Sequence, residues 1–400
     1  MQVSDHDWVQ PVPPPLPPGA ATPPLPPAAP PQYGTPQYGP PSPAHAPIGA
    51  GPQGWTPPPR PGLLPLRPMG FGTLLWAPFR TLRRNPAPVF GTGLVVQLAS
   101  AIASAALFVP LFVWIFGRIE NADAADLDAI LSGAVGWVVL LSIVPIAVSL
   151  VAGAFLQGVM VVEVASGTLG ERLTFGALWR RAAARIWPLI GWTLLVGVVV
   201  GAVFALVVGG VVAVAILFPD PATVVVVVLL ALAILLGLAV LGAWLGTKLA
   251  LVPSAIVLER AGITTAMRRS WSLTNGSFWR TFGLILLVGL ILSAAAQVVV
   301  QPVSFLGTIL AMIIDPTAGD TYLGISIATT VATLVLSVLI GAITSVVQAA
   351  LIAVIYIDLR MRTEGLDLEL ERHVEARESG LPVADPYLPP QAGASAATWS

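Results

Sequence analysis

The sequence predicts an all-α integral membrane protein, a six-transmembrane-helix bundle with disordered tails, and three observations carry that expectation. Six long apolar runs contain no Asp, Glu, Lys, Arg or His, the segments between them alternate in charge, and a basic amphipathic stretch recurs just ahead of three of the runs. The runs cover about 89–116, 130–162, 186–218, 222–247, 281–314 and 322–357. Each is long enough to cross a hydrocarbon core, which takes roughly 20 helical residues. Unpaired backbone groups are intolerable in lipid and a mid-bilayer charge costs ~3 kcal/mol, so such runs are helical spans.

Composition agrees. The chain is 56% hydrophobic and 10% charged, whereas about a quarter of a soluble domain is charged. Its net charge of −1 gives no electrostatic footprint for nucleic acid. Of the 19 basic residues, Arg118 alone falls in an odd-numbered loop between runs. The rest precede the first run, lie in the second and fourth loops, or follow the sixth, which places both termini in the cytoplasm. The opposite loops carry Glu120, Asp123, Asp126 and Asp128, then Pro219-Asp220-Pro221, then Asp315 and Asp320. With no cysteine, disulfide frameworks, thiolate nucleophiles and zinc–thiolate sites are excluded. The first 60 residues hold no apolar signal core, so the first run is expected to serve as the insertion signal. Lys248 is the sole lysine, and with abundant Ala, Val, Gly and Pro this suggests a high-GC Gram-positive source.

The domain organisation follows from these shifts. Residues 1–68 hold 24 of the 39 prolines and cannot bury enough apolar area to offset their ordering entropy, so a disordered cytoplasmic tail with polyproline II stretches is expected. Tyr33, Tyr38 and Trp55 among those prolines leave open a second role, docking to a proline-binding protein partner. Residues 69–362 form the membrane domain. Residues 363–400 form a tail that begins with a charged, helix-compatible stretch and turns proline-containing from Pro382, where order is expected to end.

A repeat lies inside the membrane domain. From Phe71, apolar residues fall at Leu74, Leu75, Phe79 and Leu82, with Arg80, Arg83 and Arg84 on another face. From Phe175 the series is Leu178, Trp179, Ala182, Ala183 and Ile186, with Arg180, Arg181 and Arg185 opposite. From Ile263 it is Ala266, Met267 and Trp271, with Arg268 and Arg269 opposite and Arg280 following. Each reads as an interfacial helix ahead of a transmembrane hairpin, giving three parallel repeats. Pro78 is expected to kink the first copy or delay its start. These arginines can bind anionic headgroups of inner-leaflet membrane lipids at ~1 kcal/mol each. Alternatively they only fix topology and depth, with Trp76, Trp179, Trp187, Trp271 and Trp279 as an aromatic belt.

Three stretches carry a family resemblance. Residues 64–90, from Leu-Pro-Leu-Arg-Pro-Met-Gly to Asn-Pro-Ala-Pro-Val-Phe, resemble the opening of actinobacterial six-span proteins related to the glycerophosphoryl diester phosphodiesterase membrane domain. Residues 251–283, with Val252-Pro253, Leu258-Glu259, Ala266-Met267-Arg268-Arg269-Ser270-Trp271 and Phe278-Trp279-Arg280, are similar to the connector of that family's fourth and fifth spans. Residues 356–367, Tyr-Ile-Asp-Leu-Arg-Met-Arg-Thr-Glu-Gly-Leu-Asp, resemble its closing motif. The resemblance implies a six-span fold. In fused members it also implies a separate catalytic barrel with a histidine pair, acidic residues and a divalent metal. Here the histidines are His6, His45 and His373, all in or beside the tails, so that His-dependent chemistry is excluded on residue inventory.

No catalytic, cofactor-binding or metal-binding residue stands out, and the chain reads as a non-enzymatic membrane scaffold or lipid-associated accessory protein. Glu163 and Lys248, at the ends of the second and fourth runs, make a candidate edge ion pair; alternatively each reaches water by itself. The competing class is a transporter or channel for a small or lipid-like solute. Coupled transporters keep intramembrane charge and often inverted repeats, and these runs have neither. Gln97, Gln157, Gln297, Gln301 and Gln348 are expected to serve as interhelical hydrogen-bonding groups. Pro110, Pro145 and Pro302 are expected to kink their spans and could open a lipid-sized groove.

Overall fold

The computed structural model describes residues 63, 67–120, 122–123, 126–218, 220–317, 319–381 and 385–388. The expectations for the proline-rich tail fall on residues outside these except at its end, where Leu63 is buried rather than disordered and donates its amide to the Gly167 carbonyl at 2.7 Å. Among the described residues the protein is all-helical. The six spans are α2 (Pro86–Glu120), α3 (Leu127–Thr168), α5 (Ile186–Leu217), α6 (Pro221–Leu249), α9 (Phe278–Ile314) and α10 (Asp320–Glu364). Their apolar windows have mean hydropathy between 2.2 and 3.4, as a membrane span requires. Three short helices precede the hairpins: α1 (Phe71–Arg84), α4 (Phe175–Ala183) and α8 (Ile263–Thr274). Two more complete the fold, α7 (Val252–Leu258) and α11 (Leu366–Glu378).

Local chemistry sets the boundaries. Asp220 caps α6, its carboxylate accepting from the Thr223 amide at 2.8 Å, and Pro221 stands in the first turn where its missing N–H costs nothing. Gly365, at φ 68°, ends α10 in the left-handed conformation and lets α11 start at once. Helix α1 begins at Phe71 and runs on through Pro78, so the expected late start is not seen.

Burial is uneven along the spans. The core lies at the end where α1, α4 and α8 sit. There the second half of α10, from Ala342 to Met361, packs with the end of α3, with α7 and with α1. Farther along, α5 buries only Leu189 and Trp192, and α6 only Thr247 and Lys248. Water would not tolerate the rest of these surfaces, but lipid tails are as apolar as the side chains facing them. Close approach relies on small residues: a Cβ added at Gly93 of α2 would come within 2.8 Å of the Ala342 carbonyl of α10.

Several expectations are corrected. The loop after the fourth run is not a plain connector, because Val252 starts a second, buried helix, α7, with Pro253 in its first turn. Ser270 ties this break together, donating to the Lys248 carbonyl at 2.7 Å and accepting from the Leu251 amide at 3.3 Å. Trp179 is packed rather than part of a belt, edge-on to Phe155 and donating to Thr92 Oγ1 at 3.1 Å. Gln301 bonds Gln297 within its own helix, since both sit on an exposed face of α9. Order does not end at Pro382 either, because Tyr387 is buried against α3 and donates to the Ala165 carbonyl at 3.0 Å.

Candidate functional site at the basic end

The end of α10 carries alternating charges at Asp358, Arg360, Arg362 and Glu364, with Tyr356 one turn before Arg360. Spacing of four brings Arg360 to Glu364 and Arg362 to Asp358, each at 2.9 Å. Two networks grow from these pairs. In the first, buried Asp358 accepts from the Met69 amide at 2.8 Å and pairs with Arg280 at 3.3 Å. The Met69 carbonyl accepts from both Arg280 and Arg362. The start of the membrane domain is thereby tied to its end.

In the second network Glu259, just beyond α7, pairs with Arg269 of α8 at 2.9 Å and receives the Tyr356 hydroxyl. Arg269 reaches Glu364 at 2.6 Å, and Arg360, only 3% exposed, lies 3.7 Å from Glu259. Burial works against the charge on Arg269, but Glu259 and Glu364 more than offset it and leave its pKa raised. Two carboxylates face two guanidiniums, so the buried cluster is electrically balanced.

The sequence-predicted site residues divide accordingly. Arg84, Arg269 and Arg280 are structural: Arg84 donates to the Gly167 carbonyl at 2.6 Å, and the other two belong to the networks. Burial lowers the pKa of Arg84, partly countered by Glu163. Arg80, Arg83, Arg180 and Arg268 remain exposed. Arg181 is held loosely, 3.6 Å from Glu171, and Arg185 is half-buried. The proposed Glu163–Lys248 pair does not form. Glu163 is 2% exposed and receives Asn85 Nδ2 at 3.3 Å, while Lys248 donates to Asn275 Oδ1 at 2.7 Å and lies over the Trp271 ring. Nor does either reach water alone, because both are buried, each against a neutral amide.

Sequence reasoning missed Glu259, Tyr356, Asp358, Arg360 and Glu364 as a unit. The usable signal was the four-residue spacing of opposite charges at a helix end. Among the described residues, no three His, Cys, Asp or Glu side chains stand close enough to share a metal ion.

An apolar cavity of about 780 Å³ opens where α5 and α6 diverge from α9, lined by Trp192, Val196, Gly246, Phe282 and Ile285, with Gln157 and Thr193 as polar groups. Pro253 reaches its wall, whereas Pro110, Pro145 and Pro302 do not line it. The span prolines therefore do not build this groove.

Six apolar spans, three short helices gathered at one end and buried charge networks define a multi-pass helical membrane domain. The chain belongs to the family described as a domain of unknown function, DUF7847, matched over residues 72–359. That match takes in the spans, the short helices and Asp358, and stops before Arg360. No curated protein and no solved structure matches the chain.

Proposed function

We propose that this protein is a non-enzymatic, lipid-associated accessory or scaffold protein of the plasma membrane, with both termini cytoplasmic and its basic end resting on anionic inner-leaflet headgroups. One observation carries the reading: Arg84, Arg269, Arg280 and Arg360 are spoken for by carboxylates and carbonyls, while Arg80, Arg83, Arg180 and Arg268 stay exposed on the short helices. Exposed Trp76, Trp187 and Trp279, at 60%, 79% and 79%, accompany them, as suits rings at headgroup level. At ~1 kcal/mol per basic residue, four such contacts give firm but weakly selective attraction. The resemblance to actinobacterial membrane domains related to glycerophosphoryl diester phosphodiesterase supports a lipid-linked role, and the proline-rich tail suits a proline-binding protein partner.

The apolar cavity favours one second reading, passage or holding of a lipid-like solute by a transporter. Native mass spectrometry of the purified protein tests the first. Replacing Arg80, Arg83, Arg180 and Arg268 with Gln is expected to reduce bound phosphatidylglycerol and cardiolipin. Unchanged anionic lipid would remove the headgroup role, and hydrolysis of glycerophosphodiesters by the purified chain would remove the non-enzymatic one.

A further inference from the structure

A cleft of about 610 Å³ opens at the basic end, between the end of α3, the α4–α5 junction, the α7–α8 connection, α11 and the segment at 385–388. Arg181, Arg185, Arg260 and His373 line it. Its two carboxylates are already engaged. Glu171 takes Arg377 at 3.4 Å and Arg181 at 3.6 Å, and Asp385 accepts the Tyr387 amide at 3.1 Å. The guanidiniums of Arg185 and Arg260, by contrast, have no acceptor among the described residues.

Backbone features reinforce this. Arg260 has φ 54°, and among the described residues it is the one non-glycine with a positive φ. L side chains seldom adopt that region, and such strain gathers where a side chain is aimed for use. Arg185 is the N-cap residue of α5 and its side chain makes no capping bond. The positive end of a 32-residue helix therefore begins at the cleft wall.

We propose that this cleft binds a phosphate-bearing anion, from a lipid headgroup or from a free phosphorylated solute. Two guanidiniums with no acceptor among the described residues offer planar, multiply donating groups for phosphate oxygens, as an ammonium does not. Val162, Leu169 and Val257 also line the cleft and leave apolar surface for the rest of the ligand, and the volume falls within the usual range for small-molecule sites. The inference does not rest on docking of Arg80, Arg83, Arg180 and Arg268 to a bilayer, because none of these four lines the cleft.

The test measures binding to the full chain in two arms. One titrates inorganic pyrophosphate against detergent-solubilised protein at constant ionic strength. The other measures stabilisation by phosphatidylglycerol in nanodiscs that are otherwise zwitterionic. Arg260→Gly and Arg185→Gln are the cleft variants, and glycine accepts the backbone at 260 without strain, so folding is preserved. Arg118→Gln, at the opposite end of the bundle and outside the headgroup-facing set, is the control. Each cleft variant is expected to weaken binding about tenfold, as loss of a charged hydrogen bond does, with the control unchanged. A response confined to pyrophosphate identifies a free phosphorylated ligand, and one confined to phosphatidylglycerol identifies a headgroup. No response in either arm, or equal responses in cleft variants and wild type, would overturn the site.

Discussion

Asp358 is 1% exposed, yet its carboxylate joins residues far apart in sequence, Met69, Arg280 and Arg362. Removing one partner of a buried charge cluster costs more than the cluster contributes net, because the remainder is left uncompensated. Asp358→Ala is expected to destabilise the protein by ~3 kcal/mol, at the lower end of the range for such losses, because Arg280 and Arg362 are 27% and 34% exposed and can turn to water. Arg268→Ala, on the exposed face, should change stability by no more than about 0.5 kcal/mol. Thermal unfolding in detergent compares them directly, and equal midpoints would deny the network any stabilising role. Little of this was legible in sequence. Arg360 and Arg362 read equally well as basic residues marking the cytoplasmic end of a span, and the Met69–Asp358 contact crosses 289 positions.

Helices were more legible than their contacts. The spans follow from hydropathy and length, and α1, α4 and α8 follow from apolar residues spaced by three and four. Helix α7 was hidden, because its seven residues continue an apolar run and only the Pro253 turn separates them from α6. Arg269 was placed on the outer face of α8, since periodicity alone cannot show that Glu259 and Glu364 stand beneath it. Packing between spans rests on small residues, and Gly93→Val is expected to cost about 1–3 kcal/mol by pushing α2 from α10. A melting midpoint equal to wild type would contradict that contact. The opposite end of the bundle should respond to acid. Hydrogen bonds from the Thr223 amide and hydroxyl hold the pKa of Asp220 below the usual carboxylate range. A depressed folded pKa means that the cap is fully present above pH ~4 and is lost as pH falls through the folded value. Amide protection at the start of α6, taken relative to intrinsic exchange at each pH, should therefore fall in acid in the wild type. In Asp220→Ala it should be low throughout, and matching profiles would contradict the cap.

The whole molecule joins two solvents. Over much of their length the spans expose apolar side chains, which suits lipid, while the basic end holds a water-protein-like core with buried polar networks. That division explains why the sequence disclosed the membrane architecture and not the site. Hydropathy averages over long segments, whereas the networks and the cleft depend on single charged residues brought together from α4, α8, α9, α10, the α4–α5 and α7–α8 connections and the C-terminal segment. It also puts the central claim on orientation, since headgroup contact requires the basic end to face the cytoplasm. The chain has no cysteine, so single cysteines at exposed Asp126, Thr317, Ala183 and Thr265 report on the two ends without background. With an impermeant thiol reagent on intact cells, labelling is expected at positions 126 and 317 and not at 183 and 265. Labelling at 183 and 265 with protection at 126 and 317 would invert the protein and contradict the account.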